Sequence, residues 1–230
     1  MKLSLHSYWR SSASYRVRIG LGLKGLTADY IAVDILRGGV EHKGGQHDDA
    51  YRARNPMGQV PVLAISEDDG RELELVQSLP ILEYLDERWP APPLLPATRE
   101  GRAQARALAE IINAGIQPLQ NLATTKQVVK LGGDDRAWIS GFMQHGLAAF
   151  AALVERSAGR FCVGDHPTIA DCCLVPQLYS ARRFGVDLTA WPRLGAIEAA
   201  CNELPAFPAA RPEVQPDAVP AVPGTSPQPR

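Results

Sequence analysis

The chain has no cysteine before Cys162, and its four cysteines, Cys162, Cys172, Cys173 and Cys201, show no repeated CxxC spacing. That excludes a disulfide framework spread over the molecule, and these residues read as reduced core thiols of a cytoplasmic protein. His42 and His47 stand at no ligand spacing with them, so no metal site is expected. An excess of either charge is also missing. Lysine and arginine number 24, aspartate and glutamate 25, for a net charge of −1, which removes the electrostatic case for a nucleic acid or a membrane surface as partner. No apolar run reads as long enough to span a bilayer, and the N-terminus has no long apolar stretch of signal-peptide type. No internal repeat is present. What is there is 230 residues, enough for one large or two small domains with a core.

The informative stretch is N-terminal. Leu3 and Leu5 alternate with Ser4 and His6 and predict a strand; a serine cluster follows, then an apolar-rich run to Lys24 that stops at Gly25. Serines are good helix N-caps and glycine a good residue just past a C-terminus, so the order is strand, loop, helix. Such a junction presents free N–H groups and the positive end of a helix, with hydroxyls and Arg10 beside them, and suits an anion, a thiolate included. Residues 30–35, rich in β-branched side chains, complete a βαβ unit. Residues 37–49 read as a loop with room for one helical turn. Pro56 and Gly58 predict a turn, and a strand from Val60 to Ile65 is interrupted at its start by Pro61, a candidate cis proline. A hairpin turn at 66–70 leads to a returning strand with Leu73 and Leu75. Ser78 is the expected N-cap of the next helix, with Ile81, Leu82 and Leu85 as its buried stripe.

Past Pro90-Ala91-Pro92-Pro93 the strand signals nearly vanish. Residues 100–130 are helical in composition, interrupted near Gly115 and Pro118, and 136–157 form a second long helix carrying Phe142, Leu147, Phe150 and Leu153. Thr168 and Asp171 read as a capping box that serves folding rather than chemistry. A last helix covers 193–204, and prolines and small residues then predict disorder past about Gln215. The expected fold is therefore a thioredoxin-like α/β domain, βαβ then ββα, followed by an all-helical domain. The bounds are 1–89, a linker at 90–97, 98–212 for the helical domain and a tail at 213–230.

Residues 11–19 (Ser-Ser-Ala-Ser-Tyr-Arg-Val-Arg-Ile) resemble the Ser-Ser-Cys-x-x-Arg-Val-Arg-Ile signature of the zeta class of glutathione transferases, the class of the maleylacetoacetate isomerases. Six further segments, at 55–63, 77–79, 115–122, 162–165, 170–177 and 183–188, match in register. The resemblance implies glutathione as cofactor, cis–trans isomerisation of maleylacetoacetate by reversible thiolate addition, a dicarboxylate substrate and a homodimer. It implies Ser11 as the thiolate stabiliser, with Ser12 and Arg10 beside it. It further implies Val60 pairing its backbone with the cysteinyl part of glutathione, Gln77 and Ser78 holding the γ-glutamyl end, Gln46 and Gln117 as further glutathione contacts, and Arg183 with Arg10 as carboxylate ligands. The signature cysteine is Ala13 here, which counts against reactions that need a protein–glutathione disulfide. The maleylpyruvate isomerases of the same class share Trp9-Arg10, but carry His-Pro in place of Gln117-Pro118 and an arginine near Ala123. Action on α-halo acids is a compatible side activity, and a non-catalytic binding module is the reading from another class. Arg16 and Arg18 read as partners of acids along their helix.

Overall fold

In the computed structural model, which describes residues 1–35, 45 and 49–219, the leucine alternation becomes strand β1 (Lys2–Ser7), with Leu3 and Leu5 buried. Helix α1 (Ser12–Leu23) follows, capped at its start by Ser11. It ends as expected: Gly25 takes φ +65° and the Leu26 N–H reaches back to the Leu21 carbonyl at 2.9 Å. Strand β2 (Asp29–Ala32) closes the βαβ unit, running parallel to β1. The predicted loop at 37–49 lies largely outside the described residues; helix α2 (Asp49–Arg54) begins at its far end. Strands β3 (Val62–Ser66) and β4 (Glu72–Val76) form the hairpin, and β3 pairs antiparallel with β1. The sheet order is β2-β1-β3-β4. Helix α3 (Ser78–Arg88) packs on α1, and Gly20 makes their approach possible, since a Cβ there would sit 2.1 Å from Leu82 Cδ2.

Beyond the linker come α4 (Arg99–Asn113), α5 (Leu122–Lys130), α6 (Asp135–Val154), α7 (Ile169–Arg183), α8 (Pro192–Asn202) and α9 (Ala206–Ala209), then a single 3₁₀ turn at Pro212–Val214. The break predicted near Gly115 and Pro118 separates α4 from α5. Helix α6 corrects one expectation: by length and composition it would fit a bilayer. Its Ile139, Met143, Leu147, Phe150 and Val154 are buried, and it packs against α4 and α5. Helix α7, buried nearly throughout, packs on α4 and α8. The four cysteines are buried free thiols.

Among the described residues there are two units, Met1–Pro92 together with 205–219, and Pro93–Leu204. This differs from the sequence boundaries at the C-terminal side. The helical unit closes at Leu204 rather than 212, and residues 205–219 belong to the first unit. Residues 213–219, read as disordered, are built onto that unit, where Asp217 bonds Trp9 and Tyr30. Another polar tie serves the end of α1. The buried Lys24 ammonium contacts Asp86 Oδ1 and the Trp89 carbonyl, each at 2.7 Å, and the Pro92 carbonyl at 2.5 Å.

Candidate active site

The loop from β1 to α1 is short. Ser11 takes an extended conformation, φ −65° and ψ 117°, its N–H reaching the Tyr8 carbonyl at 3.0 Å, and its Oγ accepts the Ser14 N–H at 3.2 Å. An Oγ held as acceptor by the backbone keeps its one proton for another partner. That hydroxyl, half-buried at the positive end of a twelve-residue helix, is arranged to donate to an anion. Ser12, the first residue of α1, is half-buried beside it. Arg10 lies over the Trp9 ring, its guanidinium carbon 4.7 Å from the centroid, and its buried Nε has no hydrogen-bond partner among the described residues. A buried, unpartnered N–H of this kind suits an incoming carboxylate.

The second helix end differs from expectation by one residue. Gln77, not Ser78, is the N-cap of α3. Its backbone stands at φ +69° and ψ 127°, a conformation L residues rarely adopt, and its side chain makes no capping bond. Ser78 is the first helical residue, buried, and its Oγ accepts from Arg16 Nη1 at 3.1 Å. Arg16, 1% exposed, thus sets a positive charge beneath the N-terminus of α3. Its hydrogen bond polarises Ser78 as the protein polarises Ser11: acceptor inward, donor outward. The uncapped backbone N–H groups, the Ser78 hydroxyl and the guanidinium together fit a carboxylate.

Between these two ends the Val60–Pro61 peptide is cis, immediately before β3. Val60 is half-buried, and the Gln59 carbonyl next to it accepts from Tyr51 Oη and Asn55 Nδ2, each at 2.7 Å. So Ser11, Ser12, Arg10, Val60, Gln77 and Ser78 all belong to the first unit. Gln46 lies outside the described residues. Gln117 and Arg183 belong to the helical unit. Gln117 sits half-buried in the turn after α4, its N–H on the Ile112 carbonyl at 2.8 Å. Arg183 closes α7, its guanidinium carbon 5.0 Å from the centre of the Phe184 ring.

The sequence reading missed what stands behind the site. Arg16 and Arg18 do not pair with acids along the helix. Arg18 bonds the carbonyls of Trp9 (2.9 Å) and Ala210 (3.0 Å) and the Ser7 hydroxyl (3.1 Å). One signal was present: Ser14 to Leu21 carry no surface-type pattern, and every one of them is buried. Arginines in such a run have to find partners inside the protein. The Thr168–Asp171 capping box is formed as read, with Asp171 fully buried and accepting from the Thr168 and Cys162 N–H groups at 2.7 and 2.9 Å.

Comparison with known proteins agrees over nearly the whole chain. The family models for the glutathione S-transferase N-terminal and C-terminal domains match residues 5–93 and 136–202. A maleylpyruvate isomerase of Ralstonia sp is 44% identical over 94% of this chain and 99% of its own. The maleylacetoacetate isomerase of Pseudomonas aeruginosa is 42% identical over 94% and 98%. Among solved structures, the maleylacetoacetate isomerase of Anaeromyxobacter dehalogenans with bound GSH superposes with a TM-score of 0.85, at 52% identity over 95% and 98% of the two chains. The same enzyme with dicarboxyethyl glutathione and citrate in its active site gives 0.84 at 50% identity over the same shares. A maleylpyruvate isomerase described as a bacterial zeta-class transferase gives 0.84 at 41% identity over 94% and 100%. The chain belongs to the glutathione S-transferase family, in the zeta class that holds the maleylacetoacetate isomerases.

Proposed function

We propose that this protein is a glutathione-dependent isomerase that converts maleylacetoacetate to fumarylacetoacetate. The observation that carries the reading is the pair of helix N-termini in one unit. Each bears a serine whose Oγ is already engaged as acceptor, by Ser14 N–H for Ser11 and by Arg16 for Ser78. One end suits a thiolate and the other a carboxylate, which are two anionic ends of glutathione. The Anaeromyxobacter enzyme, alike over 95% of this chain, is described with glutathione and with its dicarboxyethyl derivative.

Bound glutathione supplies a thiolate that adds reversibly across the activated double bond, so that the intervening single bond can turn before the thiolate leaves. The chain's part is electrostatic. Ser11 donates to the sulfur and, with the α1 N-terminus, draws the thiol pKa down from its free value of about 8.5. Ser12 stands next to it as a second hydroxyl. Val60, ahead of the cis Pro61, is the proposed backbone partner of the cysteinyl unit. Gln77 and Ser78 hold the γ-glutamyl end, with Arg16 beneath. Arg10 receives a substrate carboxylate through its Nε, which has no partner among the described residues, and steadies charge that develops as the double bond is attacked. From resemblance alone, Arg183 is proposed as a second carboxylate ligand, and Gln46 and Gln117 as glutathione contacts. A cytoplasmic location and a homodimer are proposed on the same ground.

The test is turnover of maleylacetoacetate and maleylpyruvate, with and without glutathione, in wild type and Ser11→Ala. The expected result is glutathione-dependent turnover of maleylacetoacetate that falls about 100-fold in Ser11→Ala. Loss of the cap alone costs about 1 kcal/mol of stability and leaves the protein folded. A preference for maleylpyruvate would keep the chemistry and change the substrate. Turnover that needs no glutathione would overturn the reading.

A further inference from the structure

The loop that carries Arg10 and Ser11 is held by the far end of the chain. Asp217 Oδ2 accepts the Trp9 N–H at 3.1 Å, and its Oδ1 accepts from the Tyr30 hydroxyl at 2.6 Å. On the other side of the same residue, the Trp9 carbonyl accepts from Arg18 Nη2 at 2.9 Å. Arg18 Nε in turn bonds the Ala210 carbonyl at 3.0 Å, in the segment that leads to Asp217. Both polar groups of the Trp9 backbone are therefore taken, one by a carboxylate and the other by a guanidinium, and α9 lies against α1. Gly22 permits that approach, because a Cβ there would stand 3.0 Å from the Ala206 Cβ and 3.2 Å from its Cα. Burial lowers the Arg18 pKa to about 10, with the nearby Asp217 acting in the opposite sense, so the guanidinium stays charged at neutral pH. Asp217 lies beyond residue 202, where the match to the C-terminal family model ends.

We propose that Asp217 is a positioning residue for the thiolate site: through the Trp9 N–H it fixes the loop that aims the Ser11 hydroxyl and the Arg10 guanidinium. This rests on reading Ser11 as the thiolate ligand. Trp9 is two residues from Ser11, and the Ser11 N–H to Tyr8 carbonyl bond at 3.0 Å makes the stretch one turn, so a shift at Trp9 is passed to Ser11. Displacements of about 1 Å in a catalytic group reduce rates up to about 100-fold. A strap that only added stability would leave the rate of each folded molecule alone.

The experiment compares full-length wild type, Asp217→Ala, Asp217→Asn and Tyr30→Phe. It reads kcat and KM, the ultraviolet absorbance of the glutathione thiolate against pH, and amide exchange across residues 8–14. Asp217→Ala is expected to lower kcat about tenfold, to move thiolate formation to higher pH and to speed exchange at Trp9. Asparagine can accept from Trp9 and donate to the Tyr30 oxygen, so Asp217→Asn restores most of the rate. Tyr30→Phe, which removes one bond from the carboxylate, shifts the same quantities less and keeps the question open to measurement should Asp217→Ala not fold. Wild-type thiolate profile and kcat in both Asp217→Ala and Tyr30→Phe, or activity lost only in proportion to the unfolded fraction, would overturn the positioning role alone. A wild type that shows no thiolate with glutathione would overturn the reading of Ser11 and this proposal together.

Discussion

Two helix N-termini in this protein are built from similar parts and end in opposite conditions. At α7 the chain supplies its own anion. Asp171 is buried, and its two oxygens take the Cys162 N–H, the Thr168 N–H and the Thr168 hydroxyl, while Thr168 Oγ1 takes the Ala170 N–H. Burial pushes the Asp171 carboxyl above its usual range, and the hydrogen bonds from Cys162 and Thr168 act against it. At α3 the N-cap side chain makes no bond, the backbone is held at a costly φ, and a buried guanidinium lies underneath. The first end is closed by the chain's own carboxylate and organises a core; the second, among the described residues, has no side-chain cap and a buried guanidinium bonded to its first serine.

Three substitutions probe that contrast. The largest effect belongs to the closed end. Asp171→Ala strands two buried N–H donors and the cap, and should lower unfolding stability by about 3 kcal/mol, read as a fall in the urea midpoint. Asp171→Asn should lose less, and glutathione affinity per folded molecule should stay as in wild type. If the α7 end instead affected glutathione directly, the contrast would break. Arg16→Lys comes next. A compact ammonium cannot reproduce the guanidinium's planar reach, so glutathione should bind about tenfold more weakly by calorimetry, or 1.4 kcal/mol. In a Ser78→Ala background that loss should shrink, because the two groups act as one. The smallest effect has the opposite sign. Gln77→Gly relieves the positive φ and should raise stability by roughly 0.5 kcal/mol while weakening glutathione binding.

Legibility in the sequence followed locality. The β1–α1 junction was readable because leucine alternation, serine caps and Gly25 each act within a few residues, whereas Ser11 was singled out from the serine cluster by the resemblance. The α3 end was missed by one position: a glutamine at φ +69° has no sequence preference to announce it. The roles of Arg16, Arg18 and Asp217 depend on partners 62, 192 and 208 residues away, and no local pattern encodes those distances. Residues 205–212 were read as part of the helical domain and 213–219 as disordered, both from local composition. Pro212 and Pro216 fit a disordered composition, yet proline also restricts the unfolded chain, so an irregular strap costs less entropy to order.

The division of the first unit between the two ends of the chain has a consequence in time. A ribosome makes Arg18 early, but its Ala210 partner emerges only 192 residues later, and the Asp217 partner of Trp9 follows 208 residues after it. The sheet and α1 can assemble as soon as β4 and α3 are out, whereas the loop bearing Ser11 acquires these hydrogen bonds only after Ala210 and Asp217 have emerged. Synthesis of the helical unit falls in the interval, so throughout it the nascent chain carries a sheet already begun and a Ser11 loop still without its distant partners.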